Sequence, residues 1–168
     1  MPVREVLRYP HPALKQTAAP AELGQRAEIA RLAADLAQTM EAHPGCVGLA
    51  APQLGELVRM IVVDVSGDRR AISSNGRLLL VNPRIVAASG SEVAREGCLS
   101  IPDFTANVRR ATDIVVEALT PEGEPRRVES EGFEARCLLH EIDHLDGILF
   151  LDRVASLKTD VFPRKRYG

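Results

Sequence analysis

A chain of 168 residues with 45% hydrophobic residues can bury a substantial core and is expected to form one domain spanning 1–168. Its net charge of −2 with 26% charged residues gives no electrostatic reason to bind nucleic acid or an anionic membrane surface. No apolar run approaches the roughly 18 residues of a membrane span. The three cysteines, Cys46, Cys98 and Cys137, are too irregularly spaced for a disulfide framework, and the opening MPVREVLRYPHPALKQ lacks the features of a secretory signal. A reducing cytoplasm is the expectation that follows, with a monomer as the default.

Pro2, Pro10, Pro12 and Pro20 predict an extended arm laid over the body. From Glu22 onward, Ile29, Leu32, Leu36 and Met40 recur at helical spacing, with Ala33 and Ala37 widening the stripe, until Pro44-Gly45 stops an amphipathic helix. Short β-rich runs follow at Met60 to Val65, Leu78 to Val81, Arg84 to Ala87, Asp113 to Leu119 and Glu124 to Ser130, separated by turns such as Ser74-Asn75-Gly76 and Pro121-Glu122-Gly123. A last helix is predicted from about Phe133 to Asp146, capped by Gly147. Strands grouped between helices indicate an α+β fold, with short mixed or antiparallel sheets packed around the C-terminal helix.

That helix carries His140-Glu141-Ile142-Asp143-His144. Imidazoles four residues apart share one helix face and can reach one metal ion, while the adjacent glutamate can take a proton from a water that the metal activates. His11 and His43, beside prolines, read as surface or packing residues. A catalytic centre of this kind needs a third protein ligand. In one large metalloprotease class it is a histidine six residues beyond the motif, but here Phe150 stands at that position. The other protease solution, a downstream Glu, is closed because no Glu follows Glu141.

Two cysteines remain. Cys137 shares the helix face with His140 but lies seven residues from His144, about 10.5 Å along the axis, too far for convergence on one ion. It reads as a pocket wall. Cys98, in the small-residue turn Glu96-Gly97-Cys98-Leu99-Ser100, could approach the helix from outside. Upstream, Gly48-Leu49-Ala50-Ala51-Pro52-Gln53 offers close backbone approach and a side-chain amide suited to an oxyanion.

The order G-L-A-A-P-Q, E-G-C-L-S, H-E-I-D-H-L-D-G resembles the peptide deformylases over nearly the whole chain, from Leu7-Arg8-Tyr9-Pro10 to Leu149-Phe150-Leu151-Asp152-Arg153. The resemblance implies Cys98, His140 and His144 as metal ligands, with Fe(II) as the divalent ion and nickel, cobalt or zinc as substitutes. It implies Glu141 as proton acceptor and donor, and the Gln53 amide with the Leu99 backbone N–H as holders of the formyl oxygen. The substrate it implies is the N-formyl-methionyl nascent peptide, met in proximity to the ribosome and hydrolysed to release formate. The peptide would pair as a strand with Val47 and Gly48, and its methionine would enter an apolar pocket walled by Cys137. Glu96 is expected to orient a ligand or a basic neighbour.

The chain departs from that pattern at Cys46, a position usually held by glycine, and at Leu139, usually glutamine. Some members engage the ribosome through a longer C-terminal helix; here the chain runs out through Phe162-Pro163-Arg164-Lys165-Arg166-Tyr167-Gly168, a small basic tail. The competing readings are a metalloprotease and a metal- or peptide-binding module without turnover.

Overall fold

A computed structural model describes residues 3–164, so the end of the basic tail, 165–168, lies outside the described residues. The arm is extended apart from a turn closed by His11 N on Arg8 O and a 3-10 turn at Pro12–Lys15. It is tied down at intervals. Leu7 N donates to Gln53 O at 2.7 Å, Tyr9 N to Ser100 O at 2.9 Å and Ala18 N to Leu145 O at 2.8 Å.

Helix α1, Arg26–Glu41, buries Ile29, Leu32, Ala33, Leu36 and Met40 as its spacing requires. It begins four residues later than the periodicity suggests, because Gln25 N closes a turn onto Glu22 O before the helix starts. Strands β1 (Gly48–Ala50), β2 (Met60–Val63), β3 (Leu78–Ser89), β6 (Asp113–Leu119) and β7 (Pro125–Glu131) form one antiparallel sheet in the order β1-β2-β3-β6-β7. Strand β2 lies between two cores. Ile61 and Val63 join the cluster under helix α2 (Gly132–Leu145), while Met60 and Val62 join the cluster under α1. With both faces covered, Met-Ile-Val-Val is continuously apolar instead of alternating.

The predicted runs Leu78–Val81 and Arg84–Ala87 are one strand. Its register shifts between Val81 and Arg84, where Asn82 adopts φ 52°. Asparagine tolerates that conformation, and its side-chain oxygen accepts from Ala21 N at 2.7 Å, so the apparent break is a bulge pinned to the arm.

The second sheet adds strands that the sequence reading did not list. The turn read at Glu96 to Ser100 leaves a β region as expected, and it is the tip of a hairpin: β4 (Glu92–Cys98) runs into it, Leu99 and Ser100 make the turn, and β5 (Ile101–Arg110) leads away, with β8 (Val161–Pro163) on the far side of β5. Every pairing between these strands is antiparallel; a single bridge, Ala19 to Val58, runs parallel. Helix α2 lies between the sheets. Ala135, Leu138, Ile142 and Leu145 face the first. His140 and His144 face Cys98, which belongs with Ile101, Val108 and Phe150 to the core of the second.

Candidate metal centre

The α2 face toward β4 brings Cys98, His140 and His144 together, with one donor atom from each lying within 4.8 Å of the others. Donors held 2.0–2.3 Å from one tetrahedral ion sit about 3.3–3.8 Å apart. Cys98 Sγ and His144 Nε2, at 3.4 Å, fit that geometry. His140 Nδ1 faces Glu96 Oε1 at 3.0 Å, which turns Nε2 toward the cavity. Burial holds His144 well below its ordinary pKa and favours the neutral, ligating form. Burial also lowers His140, but its hydrogen bond to Cys98 and the carboxylates of Glu141 and Glu96 more than offset this and raise it. The Nδ1 of His144 and the Oε1 of Glu141 are buried without a hydrogen-bond partner among the described residues. A cluster of soft and imidazole donors beside an unpaired carboxylate oxygen suits a first-row divalent cation.

Phe150, which stands where a protease would place its third histidine, stacks on His140 with ring centroids 6.1 Å apart. It packs against His140, and its phenyl ring has no donor atom for a metal. Cys137 is buried and lines the cavity with Val47 and Phe133, outside the donor cluster. His11 caps the 3-10 turn by accepting from Ala13 N, and His43 Nδ1 lies 2.8 Å from Thr39 O.

Glu141 meets the cavity opposite Gly48. A methyl group built on Gly48 would lie 2.7 Å from Glu141 Oε2, so only glycine lets β1 pass this close to the carboxylate. Burial pushes Glu141 up to about 7, opposed by the positive charges of His140 and Arg110. A carboxyl group poised there can both take and return a proton near neutral pH.

The Gln53 amide is oriented by its own bonds. Oε1 accepts from Ala50 N at 2.9 Å, so Nε2 must face Ser100 Oγ at 3.1 Å and Cys98 Sγ at 3.5 Å. Ser100 Oγ passes its proton on to Leu7 O at 2.7 Å. One Nε2 hydrogen is thereby left to face the donor cluster. On the role that the resemblance implies for Gln53, Gln53→Ala should keep metal affinity and lower kcat by about 10²–10³-fold, measured by steady-state kinetics with metal analysis.

Residues 46–48, leading into β1, and 95–99, at the end of β4, border the same cavity of about 240 Å³. Strands β1 and β4 are each the edge of their sheet. Val47 O is taken by Asp64 N at 2.9 Å, and strand alternation then turns the N–H and C=O of Gly48 toward the free edge. The Cys46 thiol donates to that outward Gly48 carbonyl at 3.2 Å. Burial pushes the thiol up to about 12, so at this position, usually glycine in the resembled family, the group is an uncharged donor.

Sequence reasoning anticipated Glu96 as a support and missed the network around it. Glu96 accepts from Arg110 Nε and Arg136 Nη1, each at 2.6 Å, and Arg110 Nη1 donates to Asp143 Oδ2 at 2.9 Å. Arg153 completes the chain on Asp143. A signal was present: Arg136, His140 and Asp143 lie at i, i+4 and i+7, a polar stripe along one side of the helix.

Burial alone would raise Glu96, but hydrogen bonds from His140 and Arg110 hold it at about 2, down from the usual 4.5. A carboxylate lowered on folding stabilises fully above its unfolded value and loses that contribution as pH falls through the folded one. In the metal-free protein we therefore expect on the order of 3 kcal/mol to disappear between about pH 4.5 and 2. Glu96→Gln should lower stability at neutral pH and flatten this acid limb, measured by denaturant titration across that range.

The chain matches the family model described as Polypeptide deformylase over residues 3–160. It is 41% identical to peptide deformylase 2 of Vibrio cholerae over 165 residues, covering 98% of this chain and 94% of that protein. Identity to the peptide deformylase of Rhizobium meliloti is 42% over 166 residues, covering 98% and 92%. Among solved structures, a peptide deformylase from Legionella pneumophila superposes with a TM-score of 0.83 at 39% identity, covering 94% of this chain and 89% of that one. Sequence, fold and the cluster of Cys98, His140 and His144 agree, and the chain belongs to the polypeptide deformylase family.

Proposed function

We propose that this chain removes the formyl group from N-formyl-methionyl nascent peptides, with Cys98, His140 and His144 holding one divalent metal and Glu141 moving the proton. The observation that carries the reading is the convergence of those three donors beside a buried carboxylate with an unpaired oxygen. A bound metal supplies a Lewis acid that brings the pKa of a water toward about 7. Glu141 accepts the proton of the attacking water and delivers it to the departing amine. Gln53 Nε2 and the Leu99 backbone N–H hold the formyl oxygen as charge develops on it. Fe(II) is the proposed resident ion; nickel, cobalt and zinc suit the same donors, and availability selects among them.

The peptide lies as an added strand against the outward groups of Gly48, with the Val47 side chain bordering it. Its methionine side chain enters the recess lined by Val47, Phe133 and Cys137. All 168 residues serve as one cytoplasmic catalytic unit, a monomer working near the ribosome. No helix among the described residues is long and apolar enough to cross a membrane. The test is release of formate from formyl-Met-Ala-Ser under anaerobic conditions with iron or nickel loaded. Formate and a free amine are expected. Cleavage of an internal peptide bond would favour a protease, and metal retention without formate would favour a binding module.

A further inference from the structure

Four arginines line this cavity, and they are not equivalent. Arg136 is bound to Glu96 at 2.6 Å, and Arg70 pairs with Asp68 at 2.8 Å while covering the Phe133 ring. Both of these guanidiniums are thereby engaged by carboxylates. Arg95 and Arg164 differ. Arg95 hydrogen-bonds only to neutral oxygens, Asn107 Oδ1 at 3.2 Å and Thr105 Oγ1 at 3.3 Å, and its guanidinium stacks 3.8 Å from the centroid of Phe162. Among the described residues neither Arg95 nor Arg164 forms an ion pair.

Strand β8 sets both in place. Phe162 pairs with Thr105 on β5, and Arg164 N extends the ladder by donating to Asp103 O at 2.8 Å. From there the Arg164 side chain folds over Gly97. A methyl group built on Gly97 would lie 1.9 Å from Arg164 Nη2, so the guanidinium occupies the space that any side chain at residue 97 would fill. Gly97 stands next to Cys98 and borders the same groove. Two positive charges held by stacking and by strand pairing thus flank the groove just beyond the donor cluster. A peptide that starts at the donor cluster and leaves along the 95–98 edge of the groove meets them.

Given the deformylation proposed above, we infer that Arg95 and Arg164 form an acidic-side-chain subsite, which selects formylated peptides carrying Asp or Glu shortly after the methionine. Both guanidiniums offer forked donors that match a carboxylate, and a lysine in the same place meets repulsion from two fixed charges. Rim charges act through encounter and binding, so the preference falls on KM and weakens as salt shortens the screening length.

The experiment compares formyl-Met-Ala-Glu, formyl-Met-Ala-Lys and formyl-Met-Ala-Ser as C-terminal amides, which removes the terminal carboxylate as a confounding charge. Formate release by the nickel-loaded protein is followed at low and high ionic strength. The Glu peptide should exceed the Lys peptide in kcat/KM by about tenfold at low salt, mostly through KM, and the gap should narrow at high salt. Arg164→Gln alone should shrink the ratio several-fold, and Arg95→Gln with Arg164→Gln should bring it to about one. A wild-type ratio near or below one would overturn the subsite, as would a ratio unchanged in Arg164→Gln. If the double variant does not fold, the salt dependence of the wild-type ratio and the single exposed-residue variant still decide. Formate from none of the three peptides would overturn the reaction itself, a failure distinct from equal turnover of all three.

Discussion

Glu141→Gln is expected to lower kcat by about 10³-fold while leaving the metal content of the purified protein undiminished. The amide has the volume of the carboxyl group but cannot accept a proton, and general acid–base catalysis contributes about 10²–10⁴-fold. Metal retention follows because the proposed ligands are Cys98, His140 and His144, with Glu141 left out of the set. Turnover by single-cycle kinetics and metal by elemental analysis check the two halves separately. Loss of metal in this variant would show that Glu141 is a ligand and would remove its assigned role. Gly48→Ala should produce a milder form of the same defect, because the new methyl group would press on Oε2 at 2.7 Å and force the carboxylate aside.

Cys98→Ala is expected to have the opposite signature: loss of the metal, with activity falling because the ion is gone. Removing an outer-shell partner already weakens metal sites by about 10–100-fold, and deleting a direct ligand should exceed that. The fold should survive. Cys98 is one small side chain in a core that also holds Leu14, Ile101, Val108, Leu149 and Phe150, so the cavity created is modest. Competitive chelator titration, with far-UV circular dichroism as the folding control, separates lost affinity from lost structure. Retention of wild-type affinity would mean that the two histidines recruit another ligand and would refute the Cys–His–His assignment.

Both helices and strands β2, β3, β6 and β7 were legible in the sequence from their apolar residues and the turns between them, whereas β1, three residues inside a small-residue segment, was not. The stripe Ile29, Leu32, Leu36 and Met40 is buried where helical spacing places it, β2 is an unbroken apolar run buried throughout, and β6 buries Ile114 and Val116 two residues apart. The hairpin of β4 and β5 was hidden for a physical reason. β4 is an edge strand whose residues Glu92 to Arg95 are largely exposed, and its buried positions are Glu96 and Cys98. A strand whose buried side chains are a carboxylate and a thiol does not alternate in hydropathy. The two histidines proposed as metal ligands were legible from type and spacing, and Cys98 from the resemblance. Of their supports Glu96 was anticipated; Arg110 and Asp143 were not, because Arg110 lies 33 residues from Asp143 and 14 from Glu96, and only the packing of β5 on α2 reveals them as partners.

The arm of residues 3–20 gives the centre an unusual order of assembly. Its amides clamp Gln53 through Leu7, Ser100 through Tyr9 and the end of α2 through Ala18. At Gly147, just past that helix, a methyl group would lie 2.7 Å from the backbone carbon of Lys15. During synthesis these clamping residues emerge first, yet they have nothing to close on until residue 145 and beyond have followed. A fragment restricted to residues 46–147 would hold every side chain assigned to metal, proton and oxyanion while lacking the backbone ties that fix Gln53 and Ser100. Closure of the arm over the end of α2 is therefore a long-range event that local helix formation cannot hasten.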